Sequence, residues 1–318
     1  VSRGLPRYVL RRLLYSAVVL WLVSTLVFVF LHVSPVPVER VIGGPRATDE
    51  TLAQIRANLG LDRPVLVQYW RFVGRLLHGD LGDSYISGTP VSALIAERLP
   101  TTLWLVFGAA VLWIAGGVGL GVLGASRARS LWDRAATAFV LVGLSTPPFV
   151  VALALLYVFA TRLDETGVHL FEAGPPMQEH FLRRMILPWA ALAFLMLASY
   201  TRLTRGAMLD VLGEDYVRTA RAKGLPERRV VLRHGLRPAL APVVTQAGID
   251  LGALVGSTIV TEKVFGLQGV GQLVHQSIAA GDTPVIIGVT LTVTLFVIAA
   301  NLLVDIGYSV LDPRVRLG

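Results

Sequence analysis

Cysteine is absent from the 318 residues, which removes disulfides and thiolate metal sites from consideration. Lysine is nearly absent too, with only Lys223 and Lys263 present. Neither closes a Gly-x-x-x-x-Gly-Lys-Ser/Thr run, so the chain has no P-loop with which to hydrolyse ATP by itself. There is no His-Glu-x-x-His pair, and the six histidines, His32, His78, His169, His180, His234 and His275, are scattered among loops and span ends, which argues against a metalloprotease. Charge of either sign is scarce: 16% of residues are charged against 54% hydrophobic, with a mean hydropathy of +0.64. A water-soluble domain cannot cover itself with so little polar surface, so the composition specifies an integral membrane protein.

Six stretches carry little or no charge for long enough to cross a hydrocarbon core of about 30 Å, which takes about 20 helical residues. They are Leu13 to Leu31, Leu99 to Ser126, Ala135 to Thr161, Met185 to Thr201, Pro238 to Thr261 and Thr283 to Val304. The fold class expected is therefore an all-α integral membrane protein with six transmembrane helices. The first stretch is too long, and lacks the small-residue cleavage site, for a secretory signal peptide. Alternate connections differ in charge: one set carries 18 basic and 6 acidic residues, the other 11 and 13. The positive-inside rule then predicts both termini and the connection 202–237 in the cytosol. The net charge of +8 reads as topology, since no aromatic-basic interleaving supports a nucleic-acid reading. This divides the chain into a cytosolic N-terminus with the first span (1–31), an extracytoplasmic helical loop domain (32–98), a membrane core (99–311) and a cytosolic tail (312–318).

The long external connection has the patterning of three amphipathic helices. Thr48 caps one with Leu52, Ile55 and Leu59 on a face before Gly60. Pro64 opens a second, with Val65, Tyr69, Phe72, Val73, Leu76 and Leu77 on one side and Gly79 at its end. Thr89 and Pro90 start a third, carrying Val91, Leu94 and Ile95 to a break expected at Pro100. Such helices lie on the membrane surface, pack over the spans, or form a platform for an external partner. The acids of Gly79-Asp80-Leu81-Gly82-Asp83 belong to a turn.

Within the spans, Pro147 and Pro148 break the third near its middle, removing backbone hydrogen bonds where lipid cannot replace them. Ser145, Thr146, Pro147 and Pro148 are thus candidates either for a translocation path or for a structural kink. Asp250 sits near the middle of its span, an expensive position that faces a bundle interior, a cavity or a subunit interface; Ser257 lies seven residues on and joins the candidate path. Gly248, Gly252 and Gly256 recur every four residues and present a smooth face for a neighbouring helix.

Between the fourth and fifth spans lies a short charged helix. Glu214 and Asp215 stand at its start, Arg221 and Lys223 at its end, and Gly224 then Pro226 stop it, giving about ten residues or roughly 15 Å. A charged helix between apolar spans can dock on something other than membrane.

The segment Tyr216 to Leu225, continuing to His234, Leu236, Arg237 and Pro238, resembles the signature of binding-protein-dependent ABC transporter permeases, specifically the B-type subunit of dipeptide and oligopeptide importers. The resemblance covers nearly the whole chain. Its other landmarks are Leu59 to Pro64 with Gln68-Tyr69, Gly79 to Gly82, Arg98 to Leu103, Ser145 to Phe149, Glu262, Phe265, Gly269, Gly271, Asp282, Pro284 and Leu311 to Arg314. Arg218 and Thr219 stand where the broad permease pattern has Glu and Ala, and Gln268 where the family commonly has proline.

The resemblance implies that Glu214, Asp215, Tyr216, Arg218, Thr219, Ala220, Arg221, Ala222, Lys223, Gly224 and Leu225 form a cytosolic coupling helix seated in a groove of a separate ATPase subunit. Small Ala220 and Ala222 would allow close approach, Gly224 would turn the chain, and Arg218, Arg221 and Lys223 would meet acidic groups. It further implies a non-catalytic subunit of the bacterial inner membrane, paired with a second homologous permease, two ATP-binding domains and an extracytoplasmic solute-binding protein. ATP and Mg would be bound by the ATPase partners, and this chain would hold no cofactor. The solute would be a di- or oligopeptide, glutathione, haem or a nickel chelate. Two alternatives stay open: an ion-coupled carrier or channel working without ATP with Asp250 as its ion or proton site, and an intramembrane serine protease using Ser145, for which no span supplies a histidine base.

Overall fold

The structure, a computed structural model, describes residues 5–33, 38–44, 46–162, 171–172 and 181–311. The side chains of 5–10, 31–33, 162, 253, 255 and 303–311 fall outside that description, and so does the tail 312–318. His169, His180 and the closing landmark from Asp312 to Arg314 therefore lie outside the described residues, as do the side chains of His32 and Asp305.

Among the described residues the regular structure is helical, joined by turns and loops, with one isolated antiparallel bridge between Asp83 and Pro90. In chain order the helices are α1 (Leu5–Val33), α2 (Val38–Gly43), α3 (Asp49–Leu59), α4 (Val65–Leu77), α5 (Val91–Ser126), α6 (Leu131–Ser145), α7 (Pro148–Leu155), α8 (Phe181–Leu212), α9 (Asp215–Ala222), α10 (Glu227–Arg229), α11 (Leu236–Phe265), α12 (Val270–Ala280) and α13 (Thr283–Leu311). Wider π-helical turns extend α7 over Leu156–Arg162 and join α10 to α11 over Val230–Gly235. Four helices, α1, α5, α8 and α13, are each long and apolar enough to cross a membrane. Two bent pairs raise the number to six if each pair is one span. One bends by 107° between α6 and α7, at the Pro147-Pro148 break expected from sequence; the other bends by 66° within α11, between Gly252 and Gly256.

Two compact units can be distinguished among the described residues, one within 5–100 with 268–298, the other within 101–267 with 299–311. In the first, α4 turns its aromatic face onto α1. Tyr69 and Phe72 pack against Phe28, with ring centroids 5.2 and 5.6 Å apart, and Thr25 and Tyr69 share a 2.8 Å hydrogen bond between hydroxyls. Val65 and Leu77, expected on that same face, are instead exposed. Thr48 caps α3 by accepting from the Thr51 N–H, and Gly60 closes it with φ +66°. The acidic turn is a local structure: the Asp80 carboxylate accepts from the Gly82 N–H at 2.8 Å. Buried Asp282 accepts from the Ser84 hydroxyl at 2.5 Å and from the Tyr85 N–H at 3.0 Å, tying this loop to the start of α13.

The third amphipathic helix does not stop at Pro100. It is the opening of α5, which runs unbroken for 36 residues. Proline removes one N–H bond, and the apolar run beyond it, with Leu105, Ala109 and Trp113 fully buried, carries the helix on. Likewise α8 overruns the expected Met185–Thr201 stretch at both ends, with Pro188 buried inside it. The core of the second unit gathers Leu105, Ala152, Met185, Leu187, Ala191, Phe265 and Leu267.

Candidate functional site

Helix α9 is an eight-residue element, two shorter than its sequence suggests, with Glu214 as an extended N-cap and Lys223 at its C-cap. Its inner face buries Val217 and Ala220 against Val230, with Val211, Leu212 and Leu225 around them. Its outer face exposes Arg218, Thr219, Ala222 and Lys223. After it Gly224 adopts φ +76°, a left-handed conformation that closes the helix through its N–H to the Arg221 carbonyl at 2.9 Å. A Cβ built on Gly224 meets nothing within 4 Å, so the space beside this turn is open.

Two roles expected of this segment change. Ala220 is 6% exposed and points inward, so its small size serves the chain's own packing, and of the two alanines only Ala222 is left bare for a partner. Arg221 is already engaged: its guanidinium donates to both Glu227 carboxylate oxygens, with the shortest contact 2.8 Å, and reaches the Leu212 carbonyl at 3.5 Å. It braces α9 against α10. Arg218 makes only a 3.3 Å contact to Asp215 with both groups largely in solvent, which holds it weakly and leaves it available to an acidic partner. Tyr216 donates its hydroxyl to the His234 carbonyl at 3.3 Å; partial burial and then the nearby Glu214 carboxylate raise its pKa.

At the Pro147-Pro148 break, Ser145, Pro147 and Pro148 are exposed and Thr146 is half-buried, its hydroxyl donating back to the Val142 carbonyl at 2.7 Å. Thr146 and Val142 border an open apolar groove of about 250 Å³ that Val150, Val151 and Phe194 also line. Asp250 is half-buried. Its carboxylate accepts from the Tyr200 hydroxyl at 2.9 Å and from the Gln246 amide at 3.0 Å. Both donors are neutral, so the carboxylate is held in place without a countercharge among the described residues. Ser257 is exposed and donates to the Leu254 carbonyl at 2.7 Å. Among the described residues, no hydrogen bond joins Ser145 or Thr146 to Asp250 or Ser257.

Several structural contacts were not anticipated from sequence. Buried Thr102 donates to fully buried Glu262 at 2.7 Å, linking α5 to the end of α11. Buried Asp133 takes a two-pronged ion pair from Arg205 at 2.6 and 3.0 Å, linking α6 to α8. Helix α5 approaches α8 closely: a Cβ on Gly117 would lie 2.6 Å from the Tyr200 Cβ, and one on Gly121 would lie 2.6 Å from the Thr204 Cβ and 2.9 Å from the Thr201 carbonyl oxygen. By contrast, Gly256 of the expected glycine face has nothing within 4 Å of its Cβ position. The four-residue spacing of Gly117 and Gly121 is the sequence signal for this approach.

Residues 117–317 match the model of a family described as binding-protein-dependent transport system inner membrane component, and residues 5–106 match the N-terminal model of the same kind of membrane component. The chain is 40% identical over 310 residues to the glutathione transport system permease protein GsiC of Salmonella paratyphi A, covering 97% of this chain and 98% of that protein. It is 39% identical over 310 residues, with the same coverage, to GsiC of Escherichia coli. Among solved structures, an inward-facing MetNI methionine ABC transporter superposes with a TM-score of 0.53 at 21% identity, covering 69% of this chain and 96% of that one.

Proposed function

The chain belongs to the family of binding-protein-dependent transport system inner membrane components, and from that premise we propose that it imports a short peptide, of which glutathione is the first to test. It is the non-catalytic permease subunit of an ATP-driven importer in the inner membrane. The solute assignment follows the relatives, which are named for glutathione transport. In this reading the chain spans the membrane six times, with 32–98 outside and both termini and 202–237 in the cytosol. It pairs with a second homologous permease, two ATP-binding domains and an extracytoplasmic solute-binding protein. Closure of the ATPase pair on ATP and Mg moves α9, and α8 and α11, which flank it, carry the motion to a path shared by the two permeases.

The observation that carries this reading is α9 itself. It is anchored inward by Val217 and Ala220, exposes Arg218, Thr219, Ala222 and Lys223 outward, and ends on a bare left-handed glycine beside open space. Those features support a helix seated in a partner's groove better than a solvated loop, which needs neither the buried anchor nor the bare turn.

The test is reconstitution of the whole complex in proteoliposomes, with uptake of labelled glutathione and of di- and oligopeptides delivered by the binding protein. ATP-dependent uptake is expected. Gradient-driven uptake by the purified chain alone would instead support a carrier with Asp250 as its ion site. ATP-driven uptake of an unrelated solute would overturn the peptide assignment while leaving the importer intact.

A further inference from the structure

A shallow, open groove of about 660 Å³ runs along the helix that passes from α10 into α11, lined by Pro226, Arg228, Arg229, Leu232, Arg233 and Arg237. All four arginines are exposed, and none forms an ion pair among the described residues. The nearest acid in sequence, Glu227, is occupied by Arg221. On the same helix Val231, Gly235 and Ala239 recur every four residues and face inward, toward Met208, Leu212 and Ala125. Arg229, Arg233 and Arg237 recur with the same spacing but are displaced by two residues, which puts them on nearly the opposite face. They therefore point away from the chain's own core. Arg237 immediately precedes Pro238, where the apolar span begins, and Arg229 is about 12 Å further back along the axis.

We propose that this groove binds the phosphate headgroup of an anionic phospholipid from the cytosolic leaflet. Guanidinium forks match phosphate oxygens in pairs, and four arginines along one open groove, with no acid in its lining and an apolar floor, suit a phosphate that carries acyl chains. The positive-inside rule explains why arginines lie on this side; it does not require four of them to line one groove free of acids. Leu232 is 46% exposed among the four charges and supplies the apolar contact that an acyl-glycerol needs and a soluble anion does not. A basic cluster directly adjoining a span on the cytosolic side is where anionic headgroups are concentrated. The proposal rests on the cytosolic placement of 202–237.

The experiment uses the whole transporter complex, wild type and an Arg229→Gln/Arg233→Gln double variant, with native mass spectrometry of retained phosphatidylglycerol against phosphatidylcholine. Wild type is expected to retain phosphatidylglycerol selectively, and the double variant to lose at least about tenfold of that preference. Inorganic phosphate at millimolar concentration is expected not to displace the lipid. Equal lipid retention by variant and wild type overturns the proposal, and so does displacement by inorganic phosphate alone. Loss of the ATPase subunits from the double variant with phosphatidylglycerol retained would make the surface a protein contact and also overturn it. Orientation is read separately by labelling Arg228→Cys, in a chain otherwise free of cysteine, with a membrane-impermeant maleimide. Labelling from the cytosolic face with no lipid effect removes the lipid site alone, whereas labelling from the external face removes the topology and the proposal together.

Discussion

Substitution at Gly224 separates backbone strain from a partner's steric demand. The residue has φ +76°, where an L side chain costs about 1–2 kcal/mol, and Asn pays less of that than Ala because its short polar side chain tolerates the left-handed region. Against a fold worth about 5–15 kcal/mol this strain leaves the permease folded. Among the described residues, no atom beyond the two flanking residues lies within 4 Å of a Cβ at this position, so the fold does not penalise a larger side chain there. Gly224→Ala and Gly224→Trp should therefore have equal thermal stability, while only the latter fills the open space beside the turn. If that space receives an ATPase groove, Gly224→Trp should lower copurification of the ATPase and ATP-driven uptake by about tenfold or more relative to Gly224→Ala, corresponding to a docking penalty of at least about 1.4 kcal/mol. Gly224→Asn should recover the strain component of the Ala defect. The assay is copurification from detergent followed by uptake in proteoliposomes, beside a melting curve for each variant. Equal copurification and uptake for the Ala and Trp variants would refute the reasoning, because a seated helix cannot ignore an indole at its end.

Two further substitutions test the interior. Gly121→Ala should strongly reduce the yield of folded protein, since its Cβ would meet the Thr201 carbonyl at 2.9 Å and overpacking of this kind costs about 1–3 kcal/mol; Gly119→Ala, with nothing within 4 Å, should be neutral or slightly stabilising by size-exclusion and melting measurements. Asp250→Asn keeps an acceptor for the Tyr200 hydroxyl and should cost only about 1 kcal/mol of stability, but should reduce uptake in an assembled complex if the charge contacts solute; unchanged uptake would assign Asp250 a structural role.

Much of this architecture was legible from local signals. Hydropathy over windows of about 20 residues marked the apolar stretches, because each helix satisfies its own backbone and need not know its neighbours to be recognised. The Pro147-Pro148 break was legible for the same reason, since proline lacks the N–H whatever surrounds it. The Thr48 cap and the Gly60 and Gly224 turns are likewise properties of a few consecutive residues. Pro100 shows where this stops: its local cost is real, but the long buried run of α5 overrides it.

The sequence by itself determined that this is a polytopic membrane protein without ATPase chemistry of its own, and where a charged helix interrupts the apolar spans. Only tertiary structure decided what that helix presents. It turned Ala220 inward, engaged Arg221 with Glu227, and set Gly117 and Gly121 of α5 against Tyr200 and Thr204 of α8 while leaving Gly256 open. The reason is physical: periodicity states which residues share a face, but a face acquires its partner only when another helix, distant in the chain, packs against it or leaves it bare.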